Sequence, residues 1–140
     1  MKGQSWYIVL LIGLMCLVRF GMGAVGYVDP PWLMAQLNVS IDSNIQMPYI
    51  IRVWAIRDIV LTILVVIADL QMLMTLLLAC IAIDTTDVIS AHLSGVAGLF
   101  NAADTRSLQL AAIAALIPEV IAVALLIFDQ RSKQIKVSKN

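Results

Sequence analysis

The sequence predicts an all-α fold: an integral membrane four-helix bundle with short loops and a short interfacial helix after the first span. Three observations point there. Of the 140 residues, 61% are hydrophobic and 13% charged, against about a quarter charged in a soluble domain. The apolar residues gather into four runs of roughly 20, and at ~1.5 Å per residue such a helix matches a hydrocarbon core of about 30 Å. The few charges inside those runs recur at spacings of three and four, so on a helix they share a face.

The first span covers residues 5–28. The apolar stretch after Lys2 has the look of a secretory signal, but Arg19 and the glycine-rich continuation to Val28 extend it to spanning length. Asp29 can then cap a new helix, Pro30 suits a first helical position, and Trp32 prefers the headgroup level. A short surface helix through Leu37 is therefore expected. Residues 38–47 are polar and turn-prone and include Asn38-Val39-Ser40, a glycosylation match that carries little weight.

Residues 48–68 form the second span and residues 70–92 the third, with a turn at Asp69-Leu70-Gln71 too tight for anything but antiparallel neighbours. A connection of Gly, Ala and Ser over residues 93–107 follows, with Leu99 and Phe100 at the interface and Asp104 or Thr105 as a cap. The fourth span, residues 108–128, is interrupted by Pro118-Glu119, and residues 129–140 are a polar basic tail. The whole chain reads as a single transmembrane domain. Arg131, Lys133, Lys136 and Lys139 in the tail, against no Lys or Arg between Asp29 and Met47, place both termini on the cytoplasmic or equivalent side.

The composition also excludes functions. Lys plus Arg and Asp plus Glu each number 9, without a basic stripe, so a nucleic-acid partner is not expected. Cys16 and Cys80 stand alone in apolar runs and read as small packing residues. No nucleophile with its base, phosphate loop or metal motif is present, so neither a cofactor nor a metal is expected.

The candidate site is a buried polar layer. Arg19 shares a stripe with Cys16, Gly23 and Gly26, and Glu119 with Ala112, Ala115 and Ala122. Small residues mark a helix interface, so both charges point inward. Asp58, Thr62 and Asp69 share a face of the second span, and Cys80, Asp84, Asp87 and Ala91 a face of the third. Counted from the inner ends, Arg19 lies ~20 Å and Asp84 ~21 Å along; from the outer ends, Arg57 lies ~14 Å and Glu119 ~16 Å along. Arg19, Arg57, Asp58, Asp84, Asp87 and Glu119 thus fit one layer, with each arginine clamping a carboxylate in bidentate geometry. Two arginines face four acids, and adding the shallower Arg52 still leaves one acid unmatched. His92, near the outer end of the third span, and Arg52 are weaker ligand-binding candidates.

Val18-Arg19-Phe20-Gly21 with Asp29-Pro30, Arg52-Val-Trp-Ala-Ile-Arg57-Asp58-Ile in the second span, and Asp84-Thr-Thr-Asp87 in the third together resemble the DoxX-like superfamily of small four-span membrane proteins. The likeness covers most of the first three spans and is thin over the fourth. Where that family usually has a glycine a few positions after Arg-Asp, this chain has Thr62. The resemblance implies a four-helix bundle and, for some members, service as small subunits of quinone-linked oxidoreductase complexes.

The expected function is therefore a non-catalytic accessory or structural subunit of a larger membrane complex, redox- or quinone-linked. Its partners would be the lipid bilayer and other membrane subunits or a second copy, with a lipid or quinone as a further ligand. The alternatives are a small dimeric proton-coupled carrier using the unmatched carboxylate, and an intramembrane lipid-modifying enzyme such as an isomerase.

Overall fold

A computed structural model describes residues 5–37 and 45–137, with the side chains of Lys136 and Val137 excepted. Lys2, Asn38-Val39-Ser40 and Lys139 lie outside the described residues. Five helices occur and, among the described residues, no strand: α1 (Trp6–Val28), α2 (Pro30–Gln36), α3 (Met47–Ile67), α4 (Leu70–Val96) and α5 (Ala102–Val137). Three stretches, Trp6–Val28, Leu70–Val96 and Ala102–Ile135, are long and apolar enough to cross a membrane, which makes this a multi-pass helical membrane protein. The expected second span corresponds to α3, which carries Arg52, Arg57 and Asp58 and is not one of these three.

Local chemistry sets the boundaries. The Asp29 amide closes α1 on the Val25 carbonyl at 2.8 Å, while its side chain accepts from the Trp32 amide at 3.1 Å and so opens α2. Proline at the first positions of α2 costs it no hydrogen bond, because those amides have no helical partner. Asp69 does for α4 what Asp29 does for α2, accepting from the Met72 amide at 2.8 Å. Extended backbone at Ala68 and Asp69 is the whole turn between α3 and α4. Asp69 is consequently exposed and does not share the inward face of Asp58 and Thr62.

Three expectations need correction. The helix α2 is not simply a surface helix, since Pro30, Leu33 and Met34 are buried against α1 and α3. The connection before α5 is five residues, 97–101, rather than residues 93–107. It is short because α4 ends in a Schellman motif: Gly98 adopts φ +73°, its amide bonds the Gly95 carbonyl at 3.0 Å, and the Leu99 amide bonds Ser94 at 3.0 Å. Asn101 then caps α5, accepting from the Asp104 amide at 2.8 Å and donating to the Asp104 carboxylate at 2.9 Å. Asp104 therefore sits in the first turn of the helix rather than at its cap. Finally, α5 runs unbroken through Pro118 and on past Phe128, so the described part of the tail is helical.

The four long helices alternate in direction. One apolar cluster joins Ile8 and Ile12 of α1, Val65 of α3, Leu73 and Leu77 of α4, and Ala122 and Leu126 of α5. A second joins Leu33 and Met34 of α2 with Met47 and Ile51 of α3, with Leu108 of α5 packed on it. The start of α1, the end of α3, the start of α4 and the later part of α5 thus lie at one end. Ser5 ties that end together, its hydroxyl donating to Asp129 at 2.9 Å. Around the ring, α1 packs on α3 and α5, and α4 packs on α5 and more lightly on α3.

Close packing of α1 on α3 rests on two glycines. A Cβ at Gly23 would meet the Ala55 carbonyl oxygen at 3.0 Å and Ile59 at 3.1 Å; one at Gly26 would meet Leu33 of α2 at 2.5 Å and Ile51 of α3 at 3.4 Å. Inside hydrocarbon, burial from water drives nothing, so such backbone proximity is what makes the contact favourable. Gly23→Leu should therefore push α1 off α3 and cost about 1–3 kcal/mol. Gly21→Leu, on open helix surface with nothing within 4 Å, controls for the gain in helix propensity. Unfolding titrations of both variants in mixed micelles check this; equal stability would mean that the glycine contact is not what holds the pair.

Candidate functional site

The packing of α1 on α3 places Arg19, one turn before Gly23, where it faces the interior. Its Nη2 donates to both oxygens of Asp84 on α4, at 2.8 and 2.6 Å. Its Nη1 lies 2.8 Å from Glu119 Oε1 on α5. Nε is 3.9 Å from Asp58 Oδ2 on α3, an ionic neighbour rather than a hydrogen bond. One guanidinium thus touches charge on all three other long helices. The backbones of α1 and α4 do not approach each other, so only a side chain as long as arginine can bridge that diagonal.

Arg57 forms a second centre beside the first. Its Nη2 donates to Asp87 Oδ2 at 2.8 Å and Nη1 to Oδ1 at 3.4 Å, a forked pair linking α3 to α4. This pair is shallower, with side chains 30% and 33% exposed against 12% for Arg19 and 3% for Asp84 and Glu119. Asp58 joins the two centres, its Oδ1 lying 3.5 Å from Arg57 Nε. The network therefore reads Asp87, Arg57, Asp58, Arg19, and then Asp84 with Glu119. Arg19 departs from simple two-pronged clamping of one acid: it gives one amino group to Asp84 and the other to Glu119.

Arg52 and His92 are not brought into this network or to each other. Arg52 Nε donates to the Tyr27 carbonyl at 3.3 Å, satisfying the end of α1. His92 is exposed and borders a shallow depression with Gly95, Thr105 and Arg106 at the α4–α5 end. Two other polar groups of α4 are dealt with locally: Thr85 and Thr86 hydroxyls donate to the Ile81 and Ile83 carbonyls, each at 2.7 Å.

Thr62 behaves otherwise. Its hydroxyl is buried without a hydrogen bond, as are Asp58 Oδ1, Arg57 Nε and Glu119 Oε2. Thr62, Asp58, Glu119 and Arg19 all border a cavity of about 450 Å³, whose remaining walls are largely apolar: Leu11 and Met15 from α1, Trp54 and Leu61 from α3, Ala115 and Pro118 from α5. Exposed Leu14 and Val18 of α1 and Ala114 of α5 also border it, so it reaches the lateral surface. Sequence reasoning missed this cavity. Spacing puts Thr62 on the face of Asp58, but nothing in a single sequence says that the small side chains of α5 leave space rather than admit a neighbour.

The pairing predicts a pattern of energetic coupling. Arg19→Ala should cost about 3–5 kcal/mol by stranding Asp84 and Glu119. Adding Asp84→Ala or Glu119→Gln should recover part of that loss, and Arg57→Ala should couple likewise to Asp87→Ala. Double-mutant cycles on unfolding in micelles check each pair, and strict additivity of Arg19 with Asp84 would contradict the geometry.

In comparisons with known proteins, no protein-family model, curated protein or solved structure matches the chain.

Proposed function

We propose that this protein is a four-span, non-catalytic accessory subunit of a larger membrane complex, of DoxX-like type, with both termini on the cytoplasmic or equivalent side. The observation that carries this reading is the use to which the deep charges are put. Each guanidinium grips carboxylates on other helices, so the network holds four helices in register rather than presenting a free acid–base pair to a substrate. The turns at residues 68–69 and 97–101 leave no room for a soluble catalytic domain between the helices they join. The resemblance to DoxX-like proteins makes a redox- or quinone-linked complex the expected partner.

The fourth span is supported by topology. The helix α3 begins at the end where α1 stops, and two residues separate its other end from the start of α4. If α1 and α4 both cross in the same sense, α3 has to return between them. Its 21 residues suffice at ~1.5 Å each, and two of its three charges, Arg57 and Asp58, turn toward other charges instead of lipid. Arg131 and Lys133 lie beyond Asp129, at the end shared with Ser5, which favours that end as the cytoplasmic one.

A second reading, a small carrier, draws support from Asp58 Oδ1 and Glu119 Oε2, which lie beside an open cavity without hydrogen bonds. Native separation in mild detergent discriminates the two. A subunit should migrate with a larger assembly at fixed stoichiometry, whereas a lone dimer supporting pH-dependent uptake would displace the subunit reading. Orientation is checked by labelling in a background lacking Cys16 and Cys80: Gln134→Cys should react from the cytoplasmic side and Leu99→Cys from the opposite one. Reaction of both from one side would remove the four-span topology.

A further inference from the structure

We infer that the cavity bordered by α1, α3 and α5 binds a lipophilic amine, a molecule with a hydrocarbon body and a protonated primary-amine head. This site goes beyond the subunit reading and does not depend on it. The cavity's volume of about 450 Å³ falls in the range of about 300–1,000 Å³ typical of small-molecule sites. Its walls are apolar and it opens sideways, where a molecule dissolved in the bilayer would arrive. Its polar boundary is formed by Arg19 together with Asp58, Thr62 and Glu119, the last three each at least nine-tenths buried.

The chemistry of the head follows from what those side chains lack. Thr62 Oγ1 and Glu119 Oε2 have no partner, and a buried polar atom without one is costly, whereas Asp58 Oδ1, also without a hydrogen bond, has the Arg57 guanidinium 3.5 Å away. Carboxylate oxygens accept and a hydroxyl can accept, so the occupant has to donate. Arg19 turns its amino groups to Asp84 and to the other oxygen of Glu119, and Arg57 faces Asp58 and Asp87, so neither arginine is seen bonding Thr62 Oγ1 or Glu119 Oε2. Pro118 adds another acceptor: it has no amide hydrogen to give the Ala114 carbonyl, and Ala114 and Pro118 both line the cavity.

Charge narrows the choice further. Four carboxylates, Asp58, Asp84, Asp87 and Glu119, face two guanidiniums, Arg19 and Arg57. An anionic amphiphile such as a fatty acid would add to the excess. An alcohol brings one donor and no charge. A primary ammonium brings three donors and a positive charge, which answers both deficits at once. Such a head exists on free long-chain amines and on lipids with an ethanolamine headgroup.

The test uses the full chain in phosphatidylcholine nanodiscs with Trp6→Phe and Trp32→Phe, leaving Trp54 in the cavity wall as the reporter. Dodecylamine should change Trp54 emission saturably. Dodecanol should give no saturable change, and dodecyltrimethylammonium, charged but without donors, should bind at least about tenfold more weakly. Asp58→Asn with Glu119→Gln should weaken dodecylamine by at least about tenfold. Ala115→Phe, which fills the cavity and leaves the ion pairs alone, should abolish the change, with unaltered circular dichroism showing that both variants are folded. Phosphatidylethanolamine in the disc should compete if the head belongs to a lipid and not if it belongs to a free amine. Equal binding of dodecanol, unchanged binding in the Asp58→Asn, Glu119→Gln variant, or no saturable signal would each overturn the proposal.

Discussion

Everything in this structure is arranged around the Arg19 guanidinium. A permanently charged group in the apolar middle of a membrane protein has to be surrounded by acceptors, because neither lipid nor a passing water shell can solvate it. Arg19 meets that requirement with Asp84 and Glu119 in direct contact and Asp58 at 3.9 Å. Those three acids belong to α4, α5 and α3, so satisfying one side chain fixes the depth of three helices relative to α1. Sliding any of them by a turn, about 5.4 Å, would take its carboxylate out of reach. Apolar side chains offer no comparable register, since leucine packs on leucine almost as well one turn along. The two apolar clusters on either side of the charges therefore follow the register that Arg19 sets.

That dependence also explains where the small residues fall. Gly23 and Gly26 let α1 lie against the Ala55 and Ile51 turns of α3, which brings Arg19 near Asp58 while leaving its outer amino groups free to reach across. No such closeness exists between α1 and α4, and none is needed, because the arginine stem supplies the distance. The lighter α3–α4 contact has its own forked pair, Arg57 with Asp87. Among the described residues the closely packed α4 and α5 share no ion pair and the closely packed α1 and α3 share only the 3.9 Å approach of Arg19 to Asp58, while the distant or loosely packed helices carry the direct pairs. The charges are concentrated where packing alone is weakest.

Much of the helical layout was legible in the residues because its causes are local. Asp29-Pro30 opening α2 and the tight break before Leu70 are capping chemistry within four residues. Periodicity put Arg19, Asp58, Asp84 and Glu119 on faces shared with small or polar residues, and those four side chains are the ones that meet. What could not be read is pairing. Depth puts Arg57 in the polar layer, but choosing Asp87 over Asp84 depends on the angle at which α3 and α4 lie. The end of α4 was misjudged because Gly98 and Asn101 work together: a left-handed glycine and an asparagine cap turn the chain in five residues, where composition alone reads as a long loop. The helical state of the tail was not legible, because a polar sequence shows where the hydrocarbon ends, not where the helix ends. Thr62 was legible as a position and illegible as a cavity wall.

The network and the cavity share two acids, and this bears on how rigid the bundle is. Glu119 offers one oxygen to Arg19 and leaves the other without a partner beside the cavity, while Asp58 has Oδ2 toward Arg19 and Oδ1 toward Arg57. On the far side, Asp84 gives both oxygens to Arg19, and Asp87 gives both to Arg57. The acids on α4 are thus fully spent on holding helices, while Glu119 on α5 is half spent and Asp58 on α3 is shared loosely between the two arginines. Any cation or donor entering the cavity would compete with Arg19 for the same two carboxylates without touching the α4 pairs. Its binding would loosen the ties from α1 to α3 and α5 and leave the ties to α4 intact. The α1–α3 contact can bear that loss because its glycines hold it by backbone proximity, whereas the α1–α5 contact, more lightly packed and bordered by the cavity, has less to fall back on. The seam between α1 and α5 is therefore the part of the bundle where occupancy of the cavity and the spacing of helices are coupled.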